Sequence, residues 1–161
     1  VNNAASLNRL FYLLIVFFIF LADQISKWVV CQHLDYYQPV TLLPFFSLYL
    51  THNSGAAFSF LSNGTGWQRW FFIAVGLVIS TAIGMWLYRL PKKHFLTGIA
   101  LSLILGGALG NLWDRVFTGY VVDFLLLHWH QYEWPVFNLA DTAISIGAGV
   151  LFFQAFQKRD K

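Results

Sequence analysis

Four stretches of this chain are each long and apolar enough to cross a bilayer, and nothing else in the sequence constrains its architecture as strongly. A span needs ~20 mostly apolar residues. Such segments lie at approximately 10–30, 70–88, 95–113 and 138–156. The second is uncharged between Arg69 and Arg89, the third between Lys93 and Asp114. In hydrocarbon every backbone polar group must be satisfied within the protein, so segments of this length read as helices. The expected architecture is an all-α membrane core of four transmembrane helices, forming one integral domain over 1–161, with outer loops at approximately 31–69 and 114–137. Composition agrees, because 58% hydrophobic and 11% charged residues are outside the range of a soluble domain. The first span runs on through Asp23, Gln24 and Lys27 with no small-residue cleavage site, so it reads as a retained helix and not as a removed signal.

An even number of spans puts both termini on one side. Arg9, Arg89, Lys92, Lys93, Lys158, Arg159 and Lys161 fall on that side, and Lys27, Arg69 and Arg115 on the other. The positive-inside rule then makes the termini cytoplasmic. Of the acids only Asp160 joins them, while Asp23, Asp35, Asp114, Asp123, Glu133 and Asp141 gather at or beyond the outer ends of the spans. Polar chemistry is therefore expected at the non-cytoplasmic face. The net charge of +3 is a matter of topology, and with no aromatic-interleaved basic stripe it gives no nucleic-acid partner. The single cysteine, Cys31, allows no internal disulfide. His128 and His130 lack a suitably spaced third ligand, so no metal and no other cofactor is expected. Neither Gly-x-Ser-x-Gly nor His-Glu-x-x-His occurs, which leaves serine and zinc hydrolase chemistry without support.

The first outer loop reads as β. Leu48-Tyr49-Leu50 and Phe58-Ser59-Phe60 are strand-like, Thr51-His52-Asn53-Ser54-Gly55 supplies turn residues between them, and Pro39 and Pro44 discourage a helix. Its aromatics suit a small sheet at headgroup level. The second outer loop carries Trp129, Tyr132 and Trp134, again interfacial types. Gly106-Gly107-Ala108-Leu109-Gly110 gives a small-residue face suited to close helix packing.

Two carboxylates carry the chemistry. Asp123 sits in the apolar run Val121–Leu127 with no basic residue near it in sequence. Burial there would raise its pKa. Asp141 heads the last span in Asn138-x-x-Asp141, where Asn138 is a good N-cap and the helix dipole favours an ionised acid. One carboxylate pushed up and one held down is the split expected of an acid–base pair. Asp23 and Lys27 are four apart in the order that favours an ion pair, either as structural glue or to orient a substrate or the two acids. Asn111, at the depth where the third span ends, needs a hydrogen-bond partner. Asn53 reads either as part of a turn around Gly55 or as an amide offered to a substrate backbone.

Taken in order, five blocks resemble the bacterial lipoprotein (type II) signal peptidases, a family of membrane aspartyl peptidases. They are Asp23-Gln24-Ile25-Ser26-Lys27, Asn53-Ser54-Gly55-Ala56-Ala57-Phe58, Gly106 to Arg115, Val121-Val122-Asp123-Phe124 and Phe137-Asn138-Leu139-Ala140-Asp141. The resemblance implies four helices with a small extracytoplasmic β-cradle and a short periplasmic helix, in the bacterial inner membrane with the active site at the periplasmic face. It implies cleavage before the diacylglyceryl-modified cysteine of a prolipoprotein. Asp123 and Asp141 would be the catalytic pair. Asn53, Gly55, Asn111, Arg115, Asn138 and Ala140 would bind substrate, supported by Asp23, Lys27 and Asp114. Membrane lipid and globomycin-type inhibitors would be further partners.

Two other classes compete. A small proton-coupled transporter would use the carboxylates as a relay. Such proteins show repeats and broken helices near the midplane, whereas here the acids cluster at one face. A non-catalytic membrane scaffold leaves Asp123 in its apolar run unexplained.

Overall fold

A computed structural model describes residues 3–55 and 66–157. The strand-like run Phe58-Ser59-Phe60, the Ala56–Phe58 part of the second block and the basic tail from Lys158 lie outside the described residues. The chain forms α1 (Asn3–His33), β1 (Pro39–Leu43), β2 (Phe46–Asn53), α2 (Trp67–Arg89), α3 (Phe95–Phe117), β3 (Val121–Trp129), β4 (Tyr132–Glu133) and α4 (Leu139–Gln157). All four helices are long and apolar enough to cross a membrane. Their outward surfaces are apolar: Phe18, Trp70, Val78 and Phe152 are all exposed, while Asp23, Lys27, Asp114 and Asn138 are buried. That inversion is expected when lipid is the solvent. The short periplasmic helix is not found among the described residues.

Small residues set the helix spacing. A side chain at Gly106 would meet Ile19 and the Val16 carbonyl of α1, and one at Gly107 would collide with the Ala140 carbonyl of α4. Gly147 faces the Ala100 carbonyl in the same way. The small-residue face of α3 thus lets α1 and α4 approach on either side. α3 runs a full turn beyond the apolar segment, through Asp114 and Arg115 to Phe117. It ends at Thr118 and Gly119, whose N–H groups donate to the Asp114 carbonyl at 2.8 and 3.2 Å. Gly119 has φ of 91°, a left-handed conformation that glycine adopts without strain. Arg69, at the start of α2, covers two further carbonyls of the last turn of α3, donating to Arg115 O at 3.0 Å and Val116 O at 2.7 Å.

The four strands form one antiparallel sheet in the order β1-β2-β3-β4. The first outer loop is indeed β, but its hairpin turns between Leu43 and Phe46, not at Thr51–Gly55. Thr51, His52 and Asn53 instead continue β2 and pair with Asp123, Val122 and Val121. Within the apolar run Val121–Leu127, Val121 to Phe124 are buried on both faces, while Leu125 is half-buried and Leu127 exposed. Val122 and Phe124 pack with Leu50 onto Val30 at the end of α1. Side chains alternate along a strand, so Asp123 faces the opposite way. After β4 the chain returns beside β3. Phe137 exchanges hydrogen bonds with Leu125 at 2.8 and 3.0 Å, which delivers Asn138 next to Asp123.

Candidate active site

Asn138 is the residue from which the site is built. It is the N-cap of α4: its Oδ1 accepts the Asp141 N–H at 2.9 Å, and the Asp141 carboxylate accepts the Asn138 N–H at 3.4 Å. This reciprocal pairing is a capping box with an acid at its third position. The cap leaves the amide nitrogen free to point inward, where Nδ2 lies 2.7 Å from Asp123 Oδ1, 3.2 Å from Val122 O and 3.2 Å from Asn111 Oδ1. Asn138 is fully buried.

Three asparagines hold the two carboxylates. Asn53 Nδ2, carried by β2, donates to Asp123 Oδ2 at 2.9 Å. Asn111 Nδ2, carried by α3, donates to Asp141 Oδ1 at 2.8 Å. Asn138 serves both acids as described. Asp123 and Asp141 line one cavity of about 480 Å³ together with Asn53, Asn111 and Arg115. Its other walls are mostly apolar, Val136, Ile144 and Ile146 among them, with Thr142 and Ser145 of α4 as polar exceptions.

Burial is the largest influence on Asp123 and pushes its pKa up to about 7. The Asn53 hydrogen bond opposes that, the nearby Asp141 charge adds to it, and the Lys27 charge and the Asn138 bond pull back. A carboxyl in this position holds a proton near neutrality.

Lys27 does not neutralise the pair directly. Its ammonium lies 2.7 Å from Asp23 Oδ2 and 2.8 Å from Asp114 Oδ2, and donates to Asn111 Oδ1 at 3.1 Å. Asp23 Oδ1 accepts the Ala140 N–H at 2.9 Å. Asp114 Oδ2 accepts the Val122 N–H at 3.3 Å. The buried ions thus tie α1 to α3, to the strand that carries Asp123 and to the first turn of α4. The ion pair expected between Asp23 and Lys27 forms, and it reaches Asn111 and Ala140 beside the two acids.

The residues expected from the sequence to be catalytic, substrate-binding or supporting all fall in this region. Gly55 takes part through its backbone, its carbonyl accepting Arg115 Nη2 at 2.9 Å and its N–H donating to Asn53 Oδ1 at 3.0 Å. Asn53 is therefore both the end of a strand and the amide facing a carboxylate. Ala140 contributes its N–H to Asp23 and not a side chain to the cavity. Arg115 Nε is buried without a hydrogen-bond partner among the described residues. Two participants were missed. Gln24 Nε2 donates to Asp114 Oδ1 at 2.9 Å and Gly110 O at 3.3 Å, and Arg69 caps α3. A polar amide deep in an apolar span was the available signal for Gln24, since such a group must find partners. No cluster of metal-ligating side chains occurs among the described residues.

Four spans and two carboxylates facing a cavity at their ends fit the class of integral membrane aspartic endopeptidases. The chain belongs to the signal peptidase II family: the family profile described as Signal peptidase (SPase) II matches residues 15–157. The lipoprotein signal peptidase of Alteromonas mediterranea is 49% identical over 142 residues, covering 88% of this chain and 78% of that protein. That of Pseudomonas syringae pv. tomato is 46% identical over 156 residues, covering 96% and 90%. A solved bacterial membrane enzyme superposes with a TM-score of 0.83 at 29% identity, covering 92% of this chain and 88% of that one. The protein is thus a multi-pass inner-membrane aspartic endopeptidase of the signal-peptide-processing type, and these relationships lend no support to a transporter.

Proposed function

We propose that Asp123 and Asp141 are the catalytic pair with which this peptidase cuts a prolipoprotein before its diacylglyceryl-modified cysteine, freeing the signal peptide. The observation that carries the assignment is the asparagine bridge, in which Asn53, Asn111 and Asn138 aim both carboxylates at one cavity. Protonated Asp123 hydrogen-bonds the scissile carbonyl oxygen. Ionised Asp141 takes a proton from water, whose oxygen attacks the carbonyl carbon. Asp123 then gives its proton to the departing cysteine nitrogen as the C–N bond breaks. The products are a signal peptide ending in a carboxyl group and a lipoprotein beginning with a free amine. Proton transfer from Asp141 back to Asp123 restores the pair.

Arg115, Asn53 and Asn111 offer hydrogen bonds to the substrate backbone, while Asp23, Lys27 and Asp114 hold the framework. The mostly apolar wall along α4 suits the signal peptide, and the acyl chains stay in surrounding lipid. A globomycin-type cyclic lipopeptide would occupy the same cavity. The charge distribution supports cytoplasmic termini and a periplasmic site. The test is cleavage of a purified diacylglyceryl-modified prolipoprotein in detergent. Asp123→Asn and Asp141→Asn are each expected to lower the rate by on the order of 10³-fold with the fold intact. A well-folded variant keeping most of its activity would remove that aspartate from the pair.

A further inference from the structure

A second cavity, of about 550 Å³, adjoins the first at Asp123 and Asn53 but leads the other way, across the sheet. It is lined by residues of three strands. Pro39 of β1 pairs with Tyr49 of β2, and Thr51 of β2 pairs with Asp123 of β3. The segment Trp134-Pro135-Val136 borders both cavities, so together with Asn53 and Asp123 it marks where they meet. The two differ in character. The cavity along α4 is walled by Ile144 and Ile146 of a membrane span. The one over the sheet contains Thr51, Tyr49 and, besides Asp123, the charged residue Glu133.

The geometry points to the sheet-side cavity as the binding site for the mature part of the substrate, the extended segment that follows the lipidated cysteine. This assignment rests on the catalytic pair proposed above. A peptide lying across Asp123 has its scissile bond where the two cavities join. Its apolar signal-peptide side matches the Ile144 and Ile146 side of the first cavity, which leaves the more polar sheet-side cavity for the other side. Strands lie ~4.8 Å apart, so the path from β3 to β1 is ~10 Å, about three residues of extended chain at ~3.3 Å each. The site therefore takes roughly the second to fourth residues counted from the cysteine. Glu133 makes it favour basic and disfavour acidic side chains there.

Photocrosslinking tests the placement. A diacylglyceryl-modified prolipoprotein carrying benzoylphenylalanine at the third residue, trapped on Asp141→Asn, is expected to label the Tyr49–Thr51 region of β2. The same probe eight residues before the cysteine is expected to label the 144–146 region of α4. Cleavage of both substrates by the unaltered protein is checked in parallel. Cleavage with the third-residue probe labelling α4, or labelling nothing, overturns the site while leaving the peptidase reading intact. Absence of cleavage removes both. As a second readout, Glu133→Lys should reverse the preference between substrates with Lys or Asp at the third residue. The change should be roughly threefold in KM, the scale of an exposed ion pair. An unaltered preference would exclude Glu133 from the site.

Discussion

Asp23 Oδ1 accepts the backbone N–H of Ala140 at 2.9 Å, joining the first span to the first turn of the last across 117 positions of sequence. The other oxygen of the same carboxylate holds Lys27 at 2.7 Å, and Lys27 in turn holds Asp114. Three helices meet at one ion cluster.

Removing the cation at the centre of that cluster leaves two buried carboxylates facing each other. Lys27→Met is expected to cost ~3–5 kcal/mol, as for other buried pairs stripped of one partner. It should show as a large fall in the thermal unfolding midpoint in detergent. Adding Asp23→Asn and Asp114→Asn to Lys27→Met should recover much of the loss, because no unpaired charge remains. If Lys27→Met alone unfolds at the unaltered midpoint, the cluster is not what holds the helices.

Asp123 makes activity and stability respond to pH together. Its folded pKa, raised to about 7 mainly by burial, exceeds the ~3.9 of an unfolded chain. The folded state therefore binds the extra proton, and its stability falls as pH rises from about 4 to 7, then stays low. Asp123→Asn should raise the unfolding midpoint at pH 8, by an amount on the order of 4 kcal/mol at most, and change little at pH 4. The proposed mechanism needs the same proton, so kcat/KM should fall about tenfold per pH unit above 7. A rate that keeps rising through pH 9 would contradict the role given to Asp123.

Gly107 is the closest approach of α3 to α4 near the carboxylates. A methyl group there collides with the Ala140 carbonyl and lies 2.9 Å from Ile144. Gly107→Ala should cost ~1–3 kcal/mol through forced separation of the helices and reduce cleavage by moving Asp141. Gly84→Ala, with nothing within 4 Å of the added carbon, should be neutral or gain ~0.5–1 kcal/mol. Equal effects from the two would show that the contact at Gly107 can relax.

His52 stacks on Tyr120 at 3.8 Å and meets the edge of Tyr36 at 4.4 Å. Burial lowers its pKa, so the ring is neutral, and its Nε2 has no partner among the described residues. His52→Phe keeps the ring contacts and removes the orphan nitrogen, a group that costs ~1–3 kcal/mol when buried and unpaired. The unfolding midpoint should rise. A lower midpoint would mean that the nitrogen does find a partner.

The four helices were legible because lipid demands long apolar runs, and the two aspartates because a carboxylate in such a run is conspicuous. The helix ends were not. α3 continues through Asp114 and Arg115 because Lys27, Gln24 and Arg69 satisfy its polar groups from other helices, which no local pattern reveals. Thr51, His52 and Asn53 have the composition of a turn, and only their pairing with β3, some 70 residues on, makes them strand. The apolar run around Asp123 gave no alternation to read, since Val121 to Phe124 are buried on both faces. The asparagine bridge was half visible: Asn138 announced itself as a cap, but nothing in its spacing said that its amide would also reach Asp123.

That double use of Asn138 couples the position of the last span to the surroundings of Asp123. The described part of α4 has 19 residues, ~28 Å of rise, comparable with the ~30 Å hydrocarbon layer. A bilayer that is too thick or too thin draws such a helix along its axis or tilts it. Sliding by a single residue is a ~1.5 Å displacement, enough to break the 2.7 Å bond between Asn138 and Asp123. A shift of α4 along its own axis would therefore be felt first at Asn138, where the cap of the last span and the partner of Asp123 are one side chain.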